Sequence, residues 1–106
     1  VRSMKYIVTV RGNLKGDRAQ AEAVHNATIA QVSPQAKEMG STGHQTFLNP
    51  ENEKDFLAVD FWNNMEGIQK LYSDPNLAEE FGKLFEGEPE VVVWANSDWE
   101  GYFDAE

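Results

Sequence analysis

Phe56-Leu57-Ala58-Val59-Asp60-Phe61-Trp62 is the stretch on which the fold turns. Its β-branched and aromatic content favours an extended strand, and polar turn residues bound it, Asn49-Pro50-Glu51-Asn52 before and Asn63-Asn64 after. In a strand, Leu57, Val59 and Phe61 point one way while Phe56, Ala58, Asp60 and Trp62 point the other. Both sets are too apolar for water. A sheet built around this strand therefore needs cover on both faces.

Working upstream, His44 to Leu48 reads as a short strand, and Lys5 to Arg11 as another. Between them, Gly12 to Gly16 forms a loop. Asp17 then caps a helix, with Gln20 at the spacing of a capping box. The helix runs from Ala19 to about Met39, with His25, Ile29, Val32, Ala36 and Met39 on one face of a 3.6-residue period. Pro34 is expected to kink it or split it near Ser33, and Gly40 to end it. Downstream, Asn63 or Asn64 caps a short helix bearing Met65, Ile68, Leu71 and Tyr72. Ser73-Asp74-Pro75 breaks the path and restarts it, with Asp74 as cap and Pro75 first in the helix. Leu77, Ala78, Phe81, Leu84 and Phe85 make the next apolar face, which Gly87 and Pro89 end. Glu90 to Ala95 is the last strand, with Val91 and Val93 opposed to Val92 and Trp94. The tail from Ser97 holds Trp99, Tyr102 and Phe103 and is expected to dock rather than hang free.

The order β-α-β-β-α-β is that of a ferredoxin-like α+β sandwich, with four antiparallel strands and the helices on one face. Residues 1–106 make a single domain of this kind. Helices cover one side of the sheet, and the chain has no residues left for the other. A second copy packed sheet on sheet is the expected cover, giving a homodimer and a dimeric α+β barrel.

Composition narrows the function. The 106 residues hold 9 Lys and Arg against 18 Asp and Glu, a net charge of −9. Residues 1–50 sum to +3 and residues 51–106 to −12. Such a chain repels a phosphate backbone, so nucleic-acid binding is not expected. There is no cysteine, which removes disulfides, thiolate metal sites and a Cys nucleophile. No apolar run is long enough to span a membrane, and Met4 to Arg11 is too short and polar for a secretory core. Val1-Arg2-Ser3 precedes a plausible initiator Met4. The expected setting is the cytoplasm.

The local pattern Ala58 to Trp62, Asn63 to Gly67, Leu71 to Pro75 and Phe81 resembles the antibiotic biosynthesis monooxygenase-like group of dimeric α+β barrels. That group shows an acid two residues before a Trp on the third strand, matched here by Asp60 and Trp62. A His ten residues after the Trp is followed by a Ser and a Pro; here Ser73 and Pro75 match loosely, and Tyr72 stands in place of the His. The resemblance implies the dimeric fold and a choice among cofactor-independent oxygenases, heme-degrading enzymes and isomerases. In the heme-degrading branch that His binds iron and an Asn on the first strand orients the substrate. Tyr72 and the Asn-free strand Tyr6 to Arg11 depart from that branch, so no heme is expected.

The residues themselves offer a proton-transfer site. His25 and His44 are the two histidines, and His is the usual proton carrier near neutral pH. Asp60 sits mid-strand among apolar residues, where a lone buried carboxylate is costly. It is expected either to pair across the dimer, with Arg11 or Lys5 as candidates, or to serve as a general acid or base, or to orient a catalytic histidine. The catalytic candidates are thus His25, His44, Asp60 and Tyr72, with a histidine as base, Asp60 as orienter, and Tyr72 or Asn26 stabilising oxyanion charge. Asn26, Phe47, Trp62 and Trp94 are the substrate-binding candidates, the aromatics lining a pocket for a flat apolar or aromatic molecule. Two histidines and a carboxylate also suggest a metal triad, but no tight ligand spacing supports one, and no metal or cofactor is expected. Two readings stay open: a cofactor-independent oxygenase or isomerase, and a non-catalytic dimeric binder.

Overall fold

The computed structural model describes residues 5–99. β3 (Asn52–Trp62) lies beside β1 (Tyr6–Leu14) at the centre of one antiparallel sheet, with β2 (Ser41–Asn49) and β4 (Phe85–Ala95) on its edges in the order β2-β3-β1-β4. α1 (Arg18–Met39), α2 (Met65–Tyr72) and α3 (Pro75–Leu84) complete the chain. The layout is β-α-β-β-α-α-β, the ferredoxin-like sandwich with its second helix divided in two. The break falls where Ser73-Asp74-Pro75 predicts it. The Asp74 side chain accepts from the Asn76 amide, and Pro75 opens α3.

The helix caps form as their sequences dictate. Asp17 and Gln20 make a reciprocal capping box at the start of α1. Pro34, however, neither splits nor ends that helix. It sits inside α1 on the solvent side, where water can reach the backbone carbonyl that loses its partner. The strands are longer than their apolar runs. β4 begins directly after α3, passing through Gly87 at φ 78°, and a register shift between Arg11 and Asn13 absorbs the irregularity.

Ladder partners share a face, so the register sorts the side chains. Val8 lies opposite both Asp60 and Val93, and Val10 opposite Ala58 and Val91. His44 lies opposite Asp60. These residues, with Phe56 and Trp62, look toward the helices. Val8, Val10, Phe56, Ala58 and Trp62 are buried there against Ile68, Leu71, Leu77 and Leu84. The other face carries Ile7, Leu57, Val59, Phe61 and Val92, half-buried, with Phe47 at 49% and Trp94 at 53% exposure. No element of the described residues covers it. Trp99, expected to dock, is 88% exposed, and Tyr102 and Phe103 lie outside the described residues.

One close approach holds α2 against the end of α1. The Asn64 side chain caps α2 by accepting from the Gly67 amide and donates to the Met39 carbonyl. A Cβ on Gly67 would lie 2.1 Å from that carbonyl oxygen and 2.9 Å from the Trp62 ring. Backbone on one side and a buried indole on the other leave no cheap relief. Gly67→Ala is therefore expected to destabilise the fold by about 2–3 kcal/mol and lower Tm by roughly 10 °C. Thermal unfolding followed by circular dichroism measures this, and an unchanged Tm contradicts the packing of α2 on α1.

Candidate functional site

The helix-side face of the sheet and the three helices enclose a cavity of about 370 Å³. Its walls are mostly aliphatic and aromatic, among them Val10, Ile29, Val32, Phe56, Trp62 and Phe81. Among its polar side chains, one group converges along a single wall.

Asp60 is the centre of that group. Strand register sets it opposite His44, and the end of α2 brings Tyr72 over it. Its Oδ1 pairs with His44 Nδ1, and its Oδ2 accepts from the Tyr72 hydroxyl. The Trp62 indole, two residues on along the same face, donates to the Tyr72 oxygen at 3.4 Å. On the other side, His44 Nε2 meets His25 Nε2 at 3.0 Å, and His25 Nδ1 meets Asn26 Oδ1 at 3.0 Å. One hydrogen-bonded line thus runs Trp62, Tyr72, Asp60, His44, His25, Asn26.

Donor and acceptor chemistry places the protons in this line. An ionised carboxylate only accepts, so His44 carries hydrogen on Nδ1 and Tyr72 keeps its own. The Asn26 carboxamide oxygen also only accepts, so His25 carries hydrogen on Nδ1. The two Nε2 atoms then face each other at 3.0 Å. The ring centroids are 5.2 Å apart, so the imidazoles meet nearly end on. A metal ion about 2.0–2.1 Å from each nitrogen has no place in a 3.0 Å end-on contact. Among the described residues, no group of three or more His, Cys, Asp or Glu is placed to hold a metal.

Burial, first, and then the Asp60 charge push the Tyr72 phenol well above the usual tyrosine range near 10. Its hydroxyl stays protonated and serves as a donor. Within one chain, Arg11 is engaged away from Asp60. Arg11 pairs with Asp55 at 2.9 Å, and hydrogen bonds from Arg11 and Asn49 hold the Asp55 carboxyl below the usual carboxylate range. Asp60 is left to the cavity, with its side chain 16% exposed.

The structure brings His25, His44, Asp60, Tyr72 and Trp62 together around the cavity. Asn26 is bonded to His25 but does not line this space. It faces a smaller cavity of about 190 Å³, whose wall also includes His25, Arg18 and Glu22. Phe47 and Trp94 do not line the cavity either. The register puts Phe47 beside Leu57 and Trp94 beside Ile7, on the uncovered face. Among the polar lining residues that escape the sequence reading are Thr28 and Glu80. Their signal was position: Glu80 falls three residues after Leu77 and four before Leu84, inside the apolar stripe of α3, and Thr28 falls one turn after His25.

A four-stranded antiparallel sheet with helices on one face and a polar cluster at the wall of an apolar cavity defines a class of small α+β domain. Comparison with solved structures says which. The chain matches a mutant of SnoaB, a cofactor-independent oxygenase from Streptomyces nogalater, with TM-score 0.71 at 15% identity, over 90% of this chain and 95% of that one. It matches the monooxygenase from the gene ActVA-Orf6 of Streptomyces coelicolor, in complex with Nanaomycin D, with TM-score 0.70 at 14% identity, over 98% and 95%. A putative antibiotic biosynthesis monooxygenase from Bordetella bronchiseptica gives TM-score 0.67 at 17% identity, over 88% and 97%. The fold of this chain is that of the antibiotic biosynthesis monooxygenases. No protein-family model and no curated protein matches the chain. No helix among the described residues is long and apolar enough to cross a membrane.

Proposed function

We propose that the chain is a cofactor-independent, monooxygenase-like enzyme that removes a proton from an acidic carbon of a small, flat aromatic or polyketide-like molecule. The observation that carries this is Asp60, held between His44 and Tyr72 at the wall of an apolar cavity. Both ring nitrogens of His44 and of His25 are engaged at their single sites, whereas each Asp60 oxygen keeps a lone pair beyond its one partner, which favours Asp60 as the group that meets the substrate. Of the roles open to Asp60, that of base fits this arrangement: Asp60 takes the proton, and His44 orients it. As Asp60 becomes neutral, its hold on the Tyr72 hydroxyl weakens, and that hydroxyl turns to the oxyanion of the substrate. Trp62 and the aliphatic walls hold the ring system and exclude water.

The carbanion formed this way supplies the electrons for oxygen. With an anthrone, addition of O2 at the carbanion carbon and return of the proton give a hydroperoxide. Loss of water then leaves the quinone carbonyl, with one oxygen atom in the product and one in water. An isomerase would share the proton-abstraction step and return the proton to a different atom. We further propose that a second copy of the chain covers the open sheet face, making a homodimer, and that the cysteine-free protein works in the cytoplasm.

Oxygen-electrode measurements with anthrone test the oxygenase reading. One O2 consumed per quinone formed, at a rate rising with protein concentration, is expected. Binding of anthrone without oxygen uptake or proton exchange would leave a dimeric small-molecule binder.

A further inference from the structure

The roof of the cavity holds a second acid. Glu80, on α3, lines the same space as Asp60, and its side chain is only 14% exposed. The Thr28 hydroxyl of α1 donates to Glu80 Oε1 at 3.0 Å, and Lys83 Nζ reaches Oε2 at 3.0 Å. Thr28 is itself buried, at 9% exposure. Lys83, and then Thr28, hold the Glu80 carboxyl below its usual range, so it is a carboxylate that only accepts. A carboxylate offers about four lone-pair directions. Thr28 and Lys83 use one each, which leaves accepting capacity on a side chain that lines the cavity.

We propose that Glu80 is a specificity-determining residue that recognises a hydrogen-bond donor on the substrate, so that the preferred ligand is a hydroxylated aromatic rather than a bare or O-alkylated one. The substrate then lies between two acceptors, with its acidic carbon toward Asp60 on the sheet and a phenolic hydroxyl toward Glu80 under the helices. This rests on the cavity being the substrate site. A purely structural Glu80 would tie α3 to α1 through Thr28 and would be indifferent to what the ligand carries.

The discriminating measurement is a pair of affinities. 2-Naphthol and 2-methoxynaphthalene have nearly the same shape, but only the first donates a hydrogen bond. Titrated by proton–nitrogen correlation spectra, wild type is expected to bind 2-naphthol about tenfold more tightly, the size expected for a hydrogen bond to a charged group. In Glu80→Leu the two affinities become equal. In Glu80→Gln, which keeps the shape and helix contact if the Leu variant fails to fold, the ratio falls below about threefold because the acceptor is neutral. Equal affinities in wild type, or a preference that survives both substitutions, overturns the role of Glu80 while leaving the cavity as the site. Failure of wild type to bind either probe overturns the cavity reading itself.

Discussion

Asp60→Asn is expected to lower kcat by about 10²–10⁴-fold, the range that a positioned acid or base contributes. The substitution keeps the shape and changes what the group can do. In the native site Asp60 accepts from both His44 Nδ1 and the Tyr72 hydroxyl. An amide has one accepting oxygen and one donating nitrogen, so it can accept from only one side, and the Tyr72 hydroxyl must turn from donor to acceptor to keep its bond. The amide also cannot take a proton from carbon. The apolar walls are untouched, so KM changes by less than about threefold, the pattern of an interaction made in the transition state. Circular dichroism checks that the variant folds, and steady-state rates with anthrone read the effect. Activity within a few-fold of wild type would make Asp60 a structural hydrogen-bond centre.

Val59→Glu is expected to turn a dimer into a monomer. Val59 lies mid-strand on the uncovered face, between Thr9 and Gln45 and beside Leu57 and Phe61. If a second sheet packs there, the carboxylate is buried with no partner, at several kcal/mol per unpaired ion. A loss of about 4 kcal/mol weakens dimerisation about a thousandfold. Within one chain the residue is half-exposed, so the monomer itself tolerates the change. Sedimentation equilibrium should find wild type at twice the 12.0 kDa chain mass and Val59→Glu near 12.0 kDa. A monomeric wild type, or an unchanged dimer in the variant, contradicts pairing through this face.

The strands, the helices and the restart at Pro75 were legible in the sequence because they rest on local rules of alternation, periodicity and capping. Asp60 stood out for the same reason, as a charge where the strand pattern calls for an apolar side chain. His25 and His44 were visible as candidates, yet their contact depends on a helix crossing a strand, which no local pattern encodes. Phe47 and Trp94 show the converse. Alternation says that a residue has a face, and register across the sheet says which face it is. Pro34 does not split α1, because a helix held along the sheet by Val24, Val32 and Ala36 withstands the loss of one hydrogen bond. Glu80 went unnoticed because a glutamate among Leu77, Phe81 and Leu84 passes for the edge of a solvated face.

If this cavity removes a proton from carbon, that step occurs whatever becomes of the carbanion afterwards. Deuterium wash-in measures that step alone. Anthrone is incubated with the protein in D2O without oxygen, and loss of the methylene proton signal is followed by NMR. Exchange well above the buffer rate is expected in wild type, with a return to the buffer rate in Asp60→Asn. Exchange at the buffer rate with anthrone bound to wild type would contradict proton removal by this cavity.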